Sequence, residues 1–360
     1  MIGVNACPAG CASILAEQPR RDELARTFLA DNDLGGIVPQ PLAQDASSRR
    51  YFRLPDKGLL LMDAPPPGEK PEAFVTVTKL LERLGARVPR IEATDTSAGF
   101  ILLEDLGQDT FTRLLAQGES EGKLYRSALY ALLQIQREST SHTVDASLPP
   151  YGSDVTLDEA CLFSEWYLPA RLGHALETSQ QAEFRSLWRN LFQSLPPLPD
   201  VLVHRDFHVD NLLLVKGQCA MLDYQDALAG SPVYDLVSLL EDARRDVDPI
   251  LTGELIVEWQ NNFPVEQDVF DHHYQFWAAQ RHCKVAGIFV RLWLRDGKPG
   301  YLVHLNRVMR LLASHLSRSS PLGPLRDWIL GHLNAVDHQP FSGEASELVA
   351  FCRPDDSLQK

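Results

Sequence analysis

Apolar positions run along this chain in two rhythms. Leu24, Phe28 and Leu29 keep helical spacing and predict a helix over Arg20–Ala30. Two short apolar runs, Tyr51–Leu54 and Leu59–Asp63, flank the turn Pro55-Asp56-Lys57-Gly58 and predict a hairpin. Pro71 opens a second helix with Phe74, Val77, Leu81 and Leu84 on one side, closed by Gly85. Strands at Val88–Ala93 and Phe100–Leu103, around the turn Asp95–Gly99, complete a small sheet with one crossing helix. From Thr110 the period becomes helical. Leu124, Ala128, Leu132 and Ile135 mark one long helix. Others are predicted over Asp158–Leu172, Gln180–Ser194, Val233–Arg245, Asp268–Arg295, Val303–Leu316 and Leu325–Leu333. A β-rich island interrupts them: Val201–Val203, Leu212–Val215 and Gln218–Leu222.

The layout predicts an α+β protein with a small β-rich lobe and a large, mostly helical lobe. Residues 1–19 read as a flexible leader, 20–105 as the first lobe, 106–340 as the second and 341–360 as a tail. Composition narrows the options. The 360 residues are 44% hydrophobic and 23% charged, which excludes disorder for the bulk of the chain. With 48 acidic against 34 basic residues the formal net charge is −14, a poor match to nucleic-acid phosphates, so no nucleic-acid partner is expected. No apolar run is long enough to span a membrane, and cytoplasm is the expected location. The six cysteines form no CxxC pair, so Cys161, Cys219 and Cys283 read as reduced core residues. No obligate protein partner is evident.

The chemistry is concentrated in the island. Its first loop reads His204-Arg205-Asp206-Phe207-His208-Val209-Asp210-Asn211, and after the next hairpin comes Asp223-Tyr224-Gln225-Asp226. An Asp and an Asn five apart on a loop, then an Asp at a strand end, is a phosphoryl-transfer layout. Such transfer needs a carboxylate at the attacking hydroxyl and oxygen ligands for Mg²⁺. Asp206 is the candidate catalytic base, with Asn211 and Asp223 as metal ligands. His204 reads as a packing residue and Asp235 as a helix-start acid that fixes the loop; both are support. Asp226 is a candidate substrate or metal contact, equally a plain turn residue. Upstream, Leu102–Gly107 occupies the place of a hinge whose backbone meets adenine, which points to Glu104 and Leu106.

These residues resemble the aminoglycoside phosphotransferase-type kinases, small-molecule relatives of the two-lobed protein kinases. Further segments resemble a narrower group, the bacterial anomeric kinases of N-acetylmuramate and N-acetylglucosamine. They are Asp45–Arg53, Leu61–Pro66, Leu102–Gly107, Asp223–Leu228, Val233–Leu236, Glu241–Arg245 and Gln280–Phe289. The resemblance covers about residues 20–335 and implies a protein kinase-like fold. It also implies ATP-dependent phosphorylation of the sugar C1 hydroxyl in peptidoglycan recycling, with ATP and an N-acetylated amino sugar as partners.

The chain departs from the protein-kinase pattern at one place. The third strand carries no Lys and the glycine-rich loop is replaced by Asp45–Arg50, so Ser47, Ser48, Arg49 or Arg50 is expected to supply phosphate contacts, the alternative being that the Arg pair is a solvated strand start. On the acceptor side, His272–Arg295 holds no acidic residue but contains Arg281, Lys284, Arg291 and Arg295. That basic helix needs counter-charges, either acids elsewhere in the fold or an anionic substrate. Arg281 and Lys284, with Arg244 and Arg245, are the candidate sugar contacts. The alternatives are a kinase of another small-molecule hydroxyl, or a nucleotide-binding scaffold that has lost turnover.

Overall fold

The computed structural model describes residues 10–42, 49–139 and 148–352, and for 10–19 the backbone only. The chain divides into two compact units, Met1–Lys79 with Val88–Gly107 and Leu80–Arg87 with Gln108–Lys360.

The first unit holds helix α1 (Gly10–Asp31) and strands β1 (Gln40–Pro41), β2 (Arg50–Leu54) and β3 (Leu59–Asp63). Helix α2 (Pro71–Arg83) and strands β4 (Ile91–Asp95) and β5 (Phe100–Glu104) follow. The sheet is antiparallel throughout, in the order β1-β2-β3-β5-β4. Strand alternation puts Leu54, Leu61, Phe100 and Leu102 on one face, where they pack with Phe28 and Leu29 of α1. The expected hairpin is present, and α2 stops at Gly85, whose φ of 78° lies in the left-handed region that favours glycine. Helix α1 starts ten residues before the expected Arg20.

The second unit carries α3 (Phe111–Ala116), α4 (Glu121–Ser139) and α5 (Ser153–Leu162). The last continues through a π-helical turn into α6 (Leu168–Leu172), and α7 (Thr178–Gln193) follows. Two ribbons come next: β6 (Val201–Val203) pairs with β9 (Leu228–Gly230), and β7 (Leu212–Val215) with β8 (Gln218–Met221). Then come α8 (Val233–Leu240), α9 (Pro249–Asn262), α10 (Gln267–Leu294), α11 (Leu305–Arg318), α12 (Gly323–His332) and the short α13 (Ala345–Leu348). Cys352, just beyond α13, is buried with its thiol 3.6 Å from the Trp166 carbonyl.

Helices α8 and α9 depart from expectation. Helix α8 ends at Leu240, short of Arg245, because the Asp242 carboxylate takes the Arg244 N–H (2.9 Å) and turns the backbone away. Helix α9 was not expected. Its N-cap Asp248 accepts from the N–H groups of Ile250 (2.7 Å) and Leu251 (3.1 Å), with Pro249 in the first turn. Among the described residues, no helix is long and apolar enough to cross a membrane.

The contact that positions the site is between α5 and α10. A Cβ on Gly287 would lie 2.3 Å from the backbone carbon and oxygen of Leu162. Glycine therefore lets the helices meet at Leu162 and Gly287. One turn back along each, Glu159 and Lys284 come within 2.8 Å. Gly287→Ala must push rigid backbone apart and is expected to lower stability by about 1–3 kcal/mol or more. Denaturant unfolding followed by circular dichroism checks it.

Candidate active site

The two ribbons bring separate loops to one place. The His204–Asn211 loop joins β6 to β7, and residues 222–227 join β8 to β9. The loops are tied by the Leu222 N–H on the Asn211 carbonyl (2.9 Å) and by Arg205 Nη1 on the Asp226 carbonyl (3.1 Å). Asn211 Nδ2 donates to the Asp206 backbone carbonyl (3.0 Å), which orients the amide and leaves its oxygen as the atom for a cation. Gln225 Nε2 donates to Asp223 Oδ1 (3.3 Å) and to Asp226 Oδ2 (2.9 Å); Asp226 itself is exposed. Asp223 has φ 60°, a conformation that Asp tolerates better than most side chains. The Asp206 carboxylate is about half exposed (46%) and leaves the loop surface without a neutral hydrogen-bond partner within the described residues.

Arg205, beside it, has φ 75°, which is strained for a long side chain. Three contacts over-determine it. Asp235 in the first turn of α8 accepts the N–H groups of His204 (2.6 Å) and Arg205 (3.1 Å). Arg281 Nη1 donates to the Arg205 carbonyl (2.9 Å). The Arg205 guanidinium pairs with Glu159. His204 is buried edge-on to Phe207 and Tyr224, with ring centroids 5.7 and 6.4 Å away. Burial pushes its imidazole down to about 4, so the ring is neutral.

Arg281 and Lys284 of α10, which the sequence left open between acids of the fold and an anionic substrate, are buried against acids of the fold. Lys284 is buried 2.8 Å from Glu159 and 3.3 Å from the Tyr234 hydroxyl. Arg281 is buried with Nη1 3.9 Å from Asp206 Oδ1 and 3.4 Å from the Tyr234 hydroxyl. The counter-charges of the basic helix are acids of the fold. Glu159, which sequence reasoning missed, is their hub: it takes Arg205, Lys284, the Tyr151 hydroxyl and the Gln280 amide (3.2 Å). The one signal for it was the demand of α10 for a carboxylate.

The other two candidate cations lie elsewhere in the unit. Arg244 pairs with Asp210 (2.6 Å), which also accepts from Thr112. Arg245 pairs with Glu121 (2.6 Å) and lies over the Tyr125 ring. Arg244, Arg245, Asp210 and Thr112, together with Val209 and His304, line a recess of about 610 Å³ beside the loop that carries Asp206.

In the first unit, Arg50 and Asp63 are directly opposed across β2 and β3, and the guanidinium bonds that carboxylate (Nε to Oδ2, 3.1 Å). Arg21 of α1 takes the other oxygen of Asp63. Arg49 is buried with Nε 3.9 Å from Glu69. Glu104 ends β5 facing Arg90 (3.6 Å), and Leu106 is half-buried in the loop beyond. Ser47 and Ser48 lie outside the described residues.

Comparison with known proteins fits this geometry. The model of the phosphotransferase enzyme family matches residues 39–269, which includes the whole of both loops. The chain belongs to the phosphotransferase enzyme family. It is 38% identical over 314 residues to an N-acetylmuramate/N-acetylglucosamine kinase of Pseudomonas aeruginosa, covering 84% of this chain and 91% of that protein. It is 38% identical over 300 residues to one of Neisseria meningitidis, covering 79% and 87%. Among solved structures it resembles an ADP-bound aminoglycoside phosphotransferase with a TM-score of 0.53 at 14% identity, over 79% of this chain and 95% of that one. The fold is kinase-like, and the enzyme is a phosphotransferase with a hydroxyl acceptor.

In this phosphotransferase the charges beneath the loop set the state of Asp206. Burial alone would raise its carboxyl, but Lys284 and then Arg281, with His208 and Arg205, hold it well below the usual carboxylate range. Glu159 behaves likewise: Lys284 and Arg205 overcome its burial and bring it to about 2. Asp235 goes the other way, pushed up to about 7 by burial against its two backbone donors. The folded-state value of Asp206 lies below its unfolded one. Its contribution to stability is therefore present above the unfolded value and lost only as pH falls through the folded value. Asp206 is therefore ionised throughout the neutral range, and kcat/KM is expected to show no acid limb from it between about pH 5 and 8. Arg281→Met removes the nearest cation and is expected to shift that limb upward, Lys284 and Arg205 remaining in place. A pH–rate profile of both proteins is the check.

Proposed function

We propose that this phosphotransferase transfers the γ-phosphoryl group of ATP to the anomeric C1 hydroxyl of N-acetylmuramate and N-acetylglucosamine, giving the 1-phosphate. The observation that carries the reading is Asp206: an ionised, half-exposed carboxylate on a loop that also holds Asn211 and is tied to the loop of Asp223. The names of the relatives supply the substrate class.

The Asn211 amide oxygen and the Asp223 carboxylate are hard donors that suit Mg²⁺, and Asn211 already has its nitrogen committed to the loop. Mg²⁺, when bound, screens the phosphate charges. Asp206 accepts a hydrogen bond from the acceptor hydroxyl, aims its oxygen in line and takes its proton late in transfer. Arg281 and Lys284 keep that carboxylate ionised until then. The hinge residues Glu104 and Leu106, and Arg49 in the strand-start loop, are proposed on the nucleotide side. Arg50 reaches phosphate only by sharing its guanidinium with Asp63.

For the acceptor, the recess beside Val209 and Asp210 is proposed as the sugar pocket. Arg244 uses Nε on Asp210, and a guanidinium has five N–H donors, so it can also meet the lactyl carboxylate of N-acetylmuramate. The 1-phosphate product suits a role in cell-wall recycling in the ATP-supplied cytoplasm.

The test is a Mg-ATP substrate panel read by ADP release. N-acetylmuramate and N-acetylglucosamine are expected to turn over; turnover of choline or an aminoglycoside alone would refute the sugar assignment. Arg244→Glu is expected to raise KM for N-acetylmuramate about tenfold or more, and for N-acetylglucosamine much less. Equal losses would remove the carboxylate contact.

A further inference from the structure

Away from the catalytic loop, three metal-type donors converge. Glu241 directly follows α8, His282 lies on α10 and His315 on α11. One ligand atom from each falls within 4.8 Å of the others. Nε2 of His282 and Nε2 of His315 both lie 2.8 Å from Glu241 Oε2, and the imidazole rings stack with centroids 5.9 Å apart. Both rings are buried and the carboxylate is 11% exposed, which leaves a path to solvent.

The second nitrogen of His315 gives the arrangement its meaning. Nδ1 lies 2.8 Å from Gln275 Oε1, an acceptor, so Nδ1 carries the proton. Nε2 of the same ring faces the Glu241 carboxylate 2.8 Å away, a place that a ring proton holds in the ion-free chain and that a bound ion would take over. An outer oxygen on the far ring nitrogen is also how metal-bound histidines are held. The Tyr274 hydroxyl bonds Glu241 in the same supporting way.

We infer that Glu241, His282 and His315 form a binding site for a divalent transition-metal ion of the zinc class, separate from the hard-ion site of phosphoryl transfer. Two imidazoles and one carboxylate match zinc in softness, whereas Mg²⁺ takes oxygen donors. Donors about 2.0–2.2 Å from a common ion stand roughly 3–3.5 Å apart, so the two 2.8 Å pairs on Glu241 open by less than an ångström to admit it. Water completes the set. The ion staples α8, α10 and α11 together and anchors the segment Glu241–Arg245, whose Arg244 and Arg245 line the recess.

The experiment uses the full chain, stripped with a chelator and held in excess Mg²⁺ so that a hard-ion site is already filled. Equilibrium dialysis against Zn²⁺ is expected to load one ion per chain. His282→Gln and His315→Gln are expected to weaken uptake at least about tenfold while leaving the circular dichroism spectrum unchanged. The ¹¹³Cd form of the unaltered chain is expected to resonate where two nitrogens and oxygens ligate, which decides the matter even if a variant unfolds. No stoichiometric uptake, a cadmium shift typical of oxygen-only ligation, or uptake unchanged in both variants overturns the site. None of these readouts depends on which sugar, if any, is phosphorylated.

Discussion

Asp206→Asn is expected to lower kcat by about 10²- to 10⁴-fold with nucleotide affinity nearly unchanged, and to lower the melting temperature through the cations left beneath the loop. The substitution keeps shape and size. The loop is held through backbone atoms that it does not touch: Asn211 Nδ2 on the Asp206 carbonyl, Asp235 on the His204 and Arg205 N–H groups, and Arg281 on the Arg205 carbonyl. The side chain is half exposed, and its nearest cation, Arg281 Nη1, stands 3.9 Å away with other partners to satisfy it. What is lost is a charged acceptor aimed at the hydroxyl. Steady-state kinetics with calorimetric binding of a non-hydrolysable ATP analogue separate the two effects. A parallel fall in nucleotide affinity, or a kcat that stays near the wild-type value, would mean that Asp206 does not act on the acceptor hydroxyl.

The second large effect is expected at Glu159. It is the common partner of Arg205 and Lys284, and Lys284 is almost wholly buried. Glu159→Leu leaves two cations without their counter-charge, a loss of about 3–5 kcal/mol for a broken buried pair. It also frees the strained Arg205, and with it the loop, so kcat is expected to fall as well. Pairing the change with Lys284→Met removes one stranded charge and should restore part of the stability, which is the non-additivity of groups in contact. Glu159→Gln, which keeps a partner for the Tyr151 hydroxyl, should fall between wild type and Glu159→Leu. Thermal unfolding of these variants, Lys284→Met alone and the wild type, five proteins in all, measures this; strict additivity of the two single changes would show that Glu159 and Lys284 do not act together.

The chemistry of the site was easier to read in the sequence than its support. Asp206, Asn211 and Asp223 are close along the chain, and the hairpin between them is short, so local pattern alone brought the loops together. The β2–β3 hairpin and α2 up to Gly85 were legible for the same reason. Contacts that cross the chain were not. The basic face of α10 announced a need for carboxylates, but helical spacing does not say which neighbour supplies them. Glu159 sits on a mixed helix 125 residues upstream of Lys284 and carries no mark of its own. Sequence alone therefore left Arg281 and Lys284 open between a substrate and acids of the fold, and the structure pairs them with Asp206 and Glu159. Helix α10 is buried on most sides, so its amphipathic signal is weak. Helix α9 announced itself through Asp248-Pro249, a local cap, but Gly253 in its interior and apolar residues on both faces blurred the period. Strand β9 is three residues long and exists because β6 needs a partner, which no local rule reveals.

The account comes down to where the phosphate ends up. Phosphorus–proton correlation NMR of the product formed from Mg-ATP and N-acetylmuramate tests it most directly. The account predicts a phosphorus resonance coupled to the anomeric proton at C1. Coupling to the C6 protons, or no phosphorylated sugar under conditions where the chain turns over another acceptor, would contradict it.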